Sequence, residues 1–316
     1  MRRFPPQKSL ETTHQTLELR GRDPLAPGLD DVLGAVADGQ RPRTTKFSLR
    51  GANYLRDKIK APSARGVYEC VAVHVFQSPS GNMPDMLAKH ARFLPPRRPG
   101  DPESLLALPR VFAFNISVPT EAPSMRGWKP HNPCWVILIV MRLTDESVAA
   151  LQKPEREWTP GLRLARDWVD KSEDDPYFSS RLKGIFMCSA LKGEKLPSLL
   201  DKWNGKPVLM AAAAPPWGGD RQGVVHVSRN EDYLEFGLDV GADFAATSNH
   251  ALFRLLPKLP RLVMDIAWIV EGRAPEALPE NVLAAMRLNH LDFEAQAWGV
   301  EDWLRGPGGF SSGESP

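Results

Sequence analysis

The segment RVFAFNISVP, residues 110–119, carries the pattern on which the fold of this chain depends. Its large apolar side chains recur at every second position, which is the period of a β-strand with one face in a core. They are Phe112, Phe114, Ile116 and Val118. The opposite face places Asn115 and Ser117 among small apolar residues, so that it could face solvent or form the polar wall of a ligand pocket. The segment predicts a strand.

Seven further apolar runs predict strands on both sides of this one. They are VYECVAVHVF (67–76), CWVILIVMRL (134–143), RLKGIFMCS (181–189), KPVLMAAA (206–213), GVVHVS (223–228), DYLEFGLDV (232–240) and RLVMDIAWIV (261–270). Helical patterns are fewer and do not alternate regularly with the strands, which argues against a parallel doubly wound sheet. These helical patterns cover residues 84–94, 144–153, 160–171, 243–259 and 279–289. The sequence predicts an α+β fold, a single domain with a large, mainly antiparallel sheet and several packed helices.

Composition sets the boundaries of this domain. Residues 1–45 and 304–316 are rich in Pro, Gly and charge and are predicted to be flexible, which leaves residues 46–303 for the fold. The longest apolar runs are less than half of the roughly 20 residues that a transmembrane helix needs, and the N-terminus lacks the apolar region of a signal peptide. The three cysteines are far apart and lie among apolar residues, which is typical of reduced core thiols. We expect a cytoplasmic protein that contacts intracellular membranes only peripherally.

Positive charge is concentrated in one stretch, although the formal net charge of the chain is only +2. Residues 41–65 contain eight basic side chains against the single acid Asp57. At the centre lies FSLRGANYLRDKIKAP (47–62), in which Leu55 and Ile59 are predicted to hold a short helix on the core and Asn53 to cap it. The charged face of this segment is the predicted site for anionic lipid headgroups. Its candidates are Arg50, Arg56, Lys58 and Lys60.

Motifs of the common enzyme classes are absent from the sequence, as are metal-ligand spacings, so neither a cofactor nor a metal is predicted. Asp265 is the most notable carboxylate, because it would lie on an otherwise apolar strand face. An internal salt bridge with Arg181, Lys183 or Arg287 is the favoured interpretation, and a perturbed acid in a cavity is the alternative. His74 is interpreted as a core histidine rather than a catalytic base.

The order of several motifs resembles the C-terminal domain of plant Enhanced Disease Resistance 2 proteins. FSLRGANYLRDKIKAPSA is similar to the opening of that domain, RVFAFNISVPT and SRLKGIFMCS to two of its strands, and DYLEFGLDVGADFAA to a later strand and helix. The segment from Val263 to Asp292 resembles its closing part. The likeness covers about residues 46–293. In plant members the domain follows lipid-binding START and pleckstrin homology domains, whereas this chain resembles the C-terminal domain standing alone.

The resemblance implies an association with lipid signalling and membranes, and in plants with restraint of cell death, but it implies no reaction and offers no catalytic residues. Besides Arg50 and Lys58, the positions that match the family's motifs are Asn53, Tyr54, Leu55, Asn115, Pro119, Arg181, Lys183, Asp239, Asp265 and Arg287. Such matches can record folding constraints as easily as a binding site.

Three functions remain open at this stage. The favoured one is a non-enzymatic module that binds lipid or a membrane surface and acts as a regulator in lipid signalling. The first alternative is a hydrolase that uses Asp265 and a histidine such as His74 or His226. The second is a module that binds nucleic acid or a protein. Nucleic acid is disfavoured because few aromatic residues lie among the basic ones, and no protein partner is identified.

Overall fold

The computed structural model describes residues 17–18, 44–98, 101, 107–121, 133–172, 174–190, 195–196, 201, 204–209, 226–243 and 253–299. The strands in these residues are Leu17–Glu18 (β1), Ser48–Arg50 (β2), Lys60–Pro62 (β3), Tyr68–Ser78 (β4), Val111–Pro119 (β5), Cys134–Leu143 (β6), Leu182–Ala190 (β7), Pro207–Leu209 (β8), His226–Arg229 (β9), Tyr233–Asp239 (β10), Leu262–Val270 (β11), Val282–Asn289 (β12) and Trp298–Gly299 (β13). The α-helices are Tyr54–Asp57 (α1), Met86–Lys89 (α2), Asp145–Leu151 (α3), Pro160–Lys171 (α4), Pro176–Ser179 (α5), Val240–Asp243 (α6) and Phe293–Gln296 (α7).

One large curled sheet organises the chain. Its strands follow the order β8-β7-β11-β12-β4-β6-β5-β10-β9, while β1 and β13 both pair with β4. Within this path only β12–β4 and β10–β5 are parallel, and the other pairs are antiparallel. The predicted α+β class and the mainly antiparallel sheet are therefore confirmed. Each of the eight predicted strand segments contains a strand of this sheet.

The helix predicted over residues 279–289 is wrong, because Val282–Asn289 forms strand β12. Its residues, VLAAMRLN, are mostly good helix formers. In the fold, however, β12 lies between β11 and β4, and its side chains are buried on both faces of the sheet. Tertiary packing therefore overrides the local helix preference.

Of the predicted flexible ends, residues 304–316 lie outside the described part of the chain. In the segment 1–45 the structure describes only residues 17–18 and 44–45. Leu17 and Glu18 form strand β1, which pairs with β4 so that Leu17 lies opposite Val73.

The main core lies on one face of the sheet, under helix α4. This helix begins after Thr159, whose hydroxyl accepts a hydrogen bond from the Leu162 backbone at 3.3 Å, and Pro160 occupies its first turn, as predicted. Trp168 is fully buried and packs edge to face against Phe112 of β5. The alternating aromatic residues of β5 thus face this core, as their spacing predicts.

Two smaller layers cover the opposite face of the sheet. The segment 82–94, with buried Met86, Leu87 and Phe93, packs over β4, β5, β6 and β10. The hairpin of β2 and β3 packs over β7, β11 and β12, where Phe47 and Leu49 meet a second apolar cluster. The two ends of the basic segment 47–62, strands β2 and β3, are therefore part of a layer of the fold.

Candidate functional site

The base of the basic segment is fixed by Arg50, the last residue of β2. Its guanidinium donates to Glu271 Oε1 at 2.6 Å and to the Gly272 carbonyl at 2.8 Å. Its backbone N–H donates to Glu280 Oε2 at 3.2 Å, and its own carbonyl accepts from the Glu280 N–H. Arg50 thus joins β2 to the connection between β11 and β12.

Glu280 is the buried centre of this junction. Its Oε1 accepts from Lys183 Nζ at 2.7 Å and from the Gly272 N–H at 2.9 Å. Both ionic side chains are almost fully buried, Glu280 at 4% and Lys183 at 6% exposure. Burial lowers the pKa of Lys183, and the contact with Glu280 opposes that shift. A buried charge of this kind needs its partner, so the pair is a structural connection.

Arg181 and Arg273 extend the same cluster towards α5. Arg181 Nε donates to the Glu271 carbonyl at 2.9 Å, and Arg273 Nε donates to Glu271 Oε2 at 2.7 Å. Both guanidinium carbons lie 5.1 Å from the ring centre of Tyr177, which is 50% exposed. Burial lowers the pKa of Arg181. The cluster therefore brings together Arg50, Arg181 and Lys183, three of the residues singled out from the sequence.

Beyond Arg50 the chain forms a projecting loop, residues 51–60, which we call the basic loop. Its ends are closed by a hydrogen bond from the Gly51 N–H to the Ile59 carbonyl at 3.1 Å. A side chain at Gly51 would place its Cβ 3.0 Å from that same carbonyl oxygen, so the closure favours glycine. Lys58 adopts a left-handed conformation with φ 60° and donates through Nζ to the Leu55 carbonyl at 3.0 Å. The basic loop is thus held by its own hydrogen bonds.

The predicted packing of this loop is wrong in two respects. Leu55 and Ile59 do not hold a helix on the core, since Leu55 is 39% and Ile59 64% exposed. Asn53 makes no side-chain capping bond to α1, which is only one turn long. The physical reason is that the closure from Gly51 to Ile59 turns this segment away from the sheet, while Phe47 and Leu49 already occupy the adjacent core.

Tyr54 is the half-buried residue between the loop and its base. Its ring centre lies 5.2 Å from the Arg50 guanidinium carbon and 5.6 Å from Lys58 Nζ. These distances are those of cation–π contacts. Tyr54 therefore stabilises the orientation of the loop on Arg50.

The structure divides the basic residues of the segment 41–65 into three groups. Arg41 and Arg43 lie outside the described residues. Lys46, Arg50 and Arg65 pair with the carboxylates of Asp265, Glu271 and Glu146, respectively. Arg56, Lys58 and Lys60 are exposed, and within the described residues they make no ion pair. Among the described basic residues of this segment, those that are exposed without an ion pair therefore all lie on the basic loop.

Asp265 occupies an ion pair. Arg287 donates to its two oxygens at 2.7 and 2.8 Å, and Lys46 Nζ lies 3.4 Å from Oδ2. The hydrogen bond to Asp265 raises the pKa of Arg287. This is the internal salt bridge favoured from the sequence, with Arg287 as its partner. An acid held by an arginine in this way is poorly suited to act as the base of a hydrolase.

Asn115 lies in a buried polar cluster under the segment 82–94. It donates to the Met83 carbonyl at 2.6 Å and to Glu235 Oε1 at 2.8 Å. Glu235 is fully buried and also accepts from the backbone N–H groups of Met86 and Leu87, at 3.0 and 2.7 Å. The second face of β5 is therefore covered by the segment 82–94. It holds the covering segment on the sheet.

The remaining matched positions lie at the ends of strands. Pro119 ends β5 opposite Cys134, and Asp239 ends β10 opposite Ser117. His74 is 5% exposed and lies against the rings of Phe76 and Phe93, which confirms that it is a core histidine.

Sequence reasoning did not single out Glu235, Glu271, Glu280, Arg273 or Tyr177. Glu235 had a usable signal, since it shares a strand face with the apolar Tyr233, as Asp265 does with its neighbours. Glu271, Arg273 and Glu280 lie in a connection between strands, where no periodicity marks a residue as buried.

In the described residues no helix combines the length and the apolar character that crossing a membrane requires.

Comparison with known proteins agrees with the motifs. The family model described as Protein ENHANCED DISEASE RESISTANCE 2, C-terminal, matches residues 40–292. A protein of Arabidopsis thaliana named Protein ENHANCED DISEASE RESISTANCE 2-like is 24% identical over 260 residues, which are 82% of this chain and 29% of that protein. The chain therefore spans less than a third of that relative's length. No solved structure matches the chain. The chain belongs to the Enhanced Disease Resistance 2 C-terminal family.

Proposed function

We propose that this domain is a non-enzymatic module that binds anionic membrane surfaces through the basic loop and acts peripherally in lipid signalling. The observation that carries the proposal is the exposure of Arg56, Lys58 and Lys60 on one short projecting loop. Their positive charge is not cancelled by an ion pair within the described residues, whereas Lys46, Arg50 and Arg65 each pair with a carboxylate.

The expected electrostatic attraction between the basic loop and an anionic membrane is large enough to contribute to binding. Each basic residue near an anionic membrane contributes about 1 kcal/mol, and the effect extends over roughly one Debye length of about 10 Å. Three exposed cations on one loop lie close enough together to act on the same patch of headgroups. Because the loop is held by its own hydrogen bonds, little conformational entropy is lost when it binds.

The structure also decides which residues can test the proposal. Arg50 is unsuitable because its replacement would break contacts with Glu271 and Gly272. Lys58 is unsuitable because its Nζ holds the Leu55 carbonyl. The exposed Arg56 and Lys60 remain, and Arg254 and Lys258 provide exposed basic residues just before β11, at the end opposite Glu271.

The experiment is flotation of the whole chain with phosphatidylcholine vesicles, with and without phosphatidylserine or phosphoinositide. We expect binding only to the anionic vesicles, weakening by about 30-fold in the variant Arg56→Gln/Lys60→Gln, since two residues contribute about 2 kcal/mol together. The control variant Arg254→Gln/Lys258→Gln should bind like the unmodified chain. An unmodified chain that ignores anionic vesicles, or an equal loss in the control, would contradict the proposal.

A further inference from the structure

The basic loop also carries apolar side chains that the fold leaves uncovered. Large apolar residues of the described chain are exposed at four positions: Leu55, Ile59, Tyr177 and Leu209. Two of the four lie within five residues of each other on the basic loop. Ile59 is the most exposed of them, at 64%.

The other two lie around the base of the same loop. Tyr177 lies against Arg273, whose Nε bonds the carboxylate of Glu271, which in turn bonds Arg50. Leu209 of β8 is paired in register with Lys183 of β7, so their side chains share one face of the sheet. On that face Lys183 contacts Glu280 beneath the Arg50 backbone. Contacts therefore connect Tyr177 and Leu209 to the residues that bind Arg50 at the base of the basic loop.

We propose that Leu55 and Ile59 insert into the acyl boundary of an anionic bilayer, while Tyr177 and Leu209 border the inserted loop at the interface. This inference rests on the proposed function and specifies how the basic loop engages the membrane. Apolar side chains beside cations are the composition of interfacial membrane-binding elements, in which burial of apolar area and attraction to anionic lipids act together. Tyrosine suits the interface because its ring is apolar and its hydroxyl is polar.

A bilayer fits this surface better than a protein partner does. The apolar side chains project from a loop tip and its surroundings, and Arg56 and Lys60 flank Leu55 and Ile59 directly along the chain. Charge complementarity therefore points to an anionic surface. A loop closed from Gly51 to Ile59 presents both apolar residues without having to fold on contact.

Two measurements on the whole chain test the insertion. In flotation with vesicles containing phosphatidylserine, the variant Leu55→Ala/Ile59→Ala should bind roughly tenfold more weakly, from the apolar area that it no longer buries. The matched variant Leu55→Ile/Ile59→Leu keeps that area and should bind like the unmodified chain. At about 0.5 M salt, where electrostatic attraction is screened, both proteins should bind more weakly, but the roughly tenfold difference between the unmodified chain and the alanine variant should persist.

The second measurement reports directly whether residue 59 enters the bilayer. An environment-sensitive fluorophore on the variant Ile59→Cys should brighten and shift to shorter wavelength on the vesicles, whereas one on Lys258→Cys should not. The unsubstituted chain treated with the same reagent gives the background from the native thiols, of which Cys134 and Cys188 are buried.

The outcomes separate the two proposals. If binding needs Arg56 and Lys60 but is unchanged in the alanine variant, and the fluorophore at position 59 shows no shift, insertion is wrong while the proposed function stands. If the unmodified chain binds no vesicles, the proposed function itself fails. Self-association of the chain that depends on Leu55 and Ile59, with no vesicle binding, would identify the surface as a contact between copies and overturn both.

Discussion

The guanidinium of Arg50 lies 2.6 Å from the carboxylate of Glu271, and this contact connects the basic loop to the connection between β11 and β12. The side chains are 24% and 14% exposed, so the pair is partly shielded from water. Together with the bond to the Gly272 carbonyl, it fixes where the loop leaves the fold. One end of the basic segment is therefore structural, and the other is available for binding.

The first prediction concerns this difference within the segment. Arg50→Gln should lower the free energy of unfolding by about 2 kcal/mol, because it removes the hydrogen bonds to Glu271 Oε1 and to the partly buried Gly272 carbonyl. Arg56→Gln, at an exposed position, should leave stability nearly unchanged. Urea denaturation of both variants checks this. Equal stability of the two would mean that the Arg50 contacts contribute nothing.

A second prediction concerns Asp265 and Arg287. Both Asp265→Asn and Arg287→Gln should destabilise the fold, and a double-mutant cycle should give a coupling energy of about 1–2 kcal/mol, since the two groups are in direct contact. Arg287→Gln should leave vesicle binding unchanged, because Lys46 keeps its pairing with Asp265 and Arg287 itself pairs with Asp265 and not with the basic loop. Additive effects of the two substitutions would show that the ion pair does not stabilise the fold.

The third prediction concerns the buried Glu235. In Glu235→Gln an amide N–H₂ replaces one oxygen and meets backbone or Asn115 donors, which we expect to cost about 2 kcal/mol. Hydrogen exchange should become faster at the amide of Met86 or of Leu87, because these two groups donate to different oxygens and one of them will face the new N–H₂ group. Glu276→Gln is the control, because Glu276 is exposed. Unchanged protection of both amides would contradict the assigned role.

A fourth prediction follows from His74. Burial lowers its pKa from 6.5 to about 4, so between these values the unfolded chain binds a proton that the folded chain does not. Stability is therefore lost as the pH falls through this window. From about pH 7 to about pH 5 the contribution of His74 amounts to a loss of about 2 kcal/mol.

The measurement for His74 is urea denaturation at both pH values. His74→Leu removes the titrating group, so the variant should lose about 2 kcal/mol less than the unmodified chain over this pH range. Parallel losses in the two proteins would show that His74 does not titrate as its burial requires.

Much of the fold could be predicted from local patterns. The eight apolar runs each contain a strand, and the helical patterns over residues 144–153 and 160–171 contain helices α3 and α4. The longest strand outside these runs is β12, whose helix-forming residues become a strand only because β11 and β4 lie on either side of it. Local propensity contains no information about such neighbours.

The candidate site was less predictable. Sequence identified the concentration of charge and the acid Asp265, but it assigned Leu55 and Ile59 to the core, because an apolar pair spaced one helical turn apart is normally buried. A short loop closed by Gly51 and Ile59 has no such packing. Nor could the sequence separate Arg50 from Arg56, since the difference depends on Glu271, which is 221 residues away along the chain.

Local periodicity and the order of the motifs are sufficient to predict eight of the strands, the α+β class, the family and the position of the basic segment. Which charges are available and which apolar residues are uncovered depends instead on contacts between distant parts of the chain. Carboxylates from distant connections neutralise some cations of the segment and not others, and Phe47 and Leu49 fill the core space beside the loop. The charge that a surface presents depends on which residues are close in space, and the order of residues along the chain does not show this.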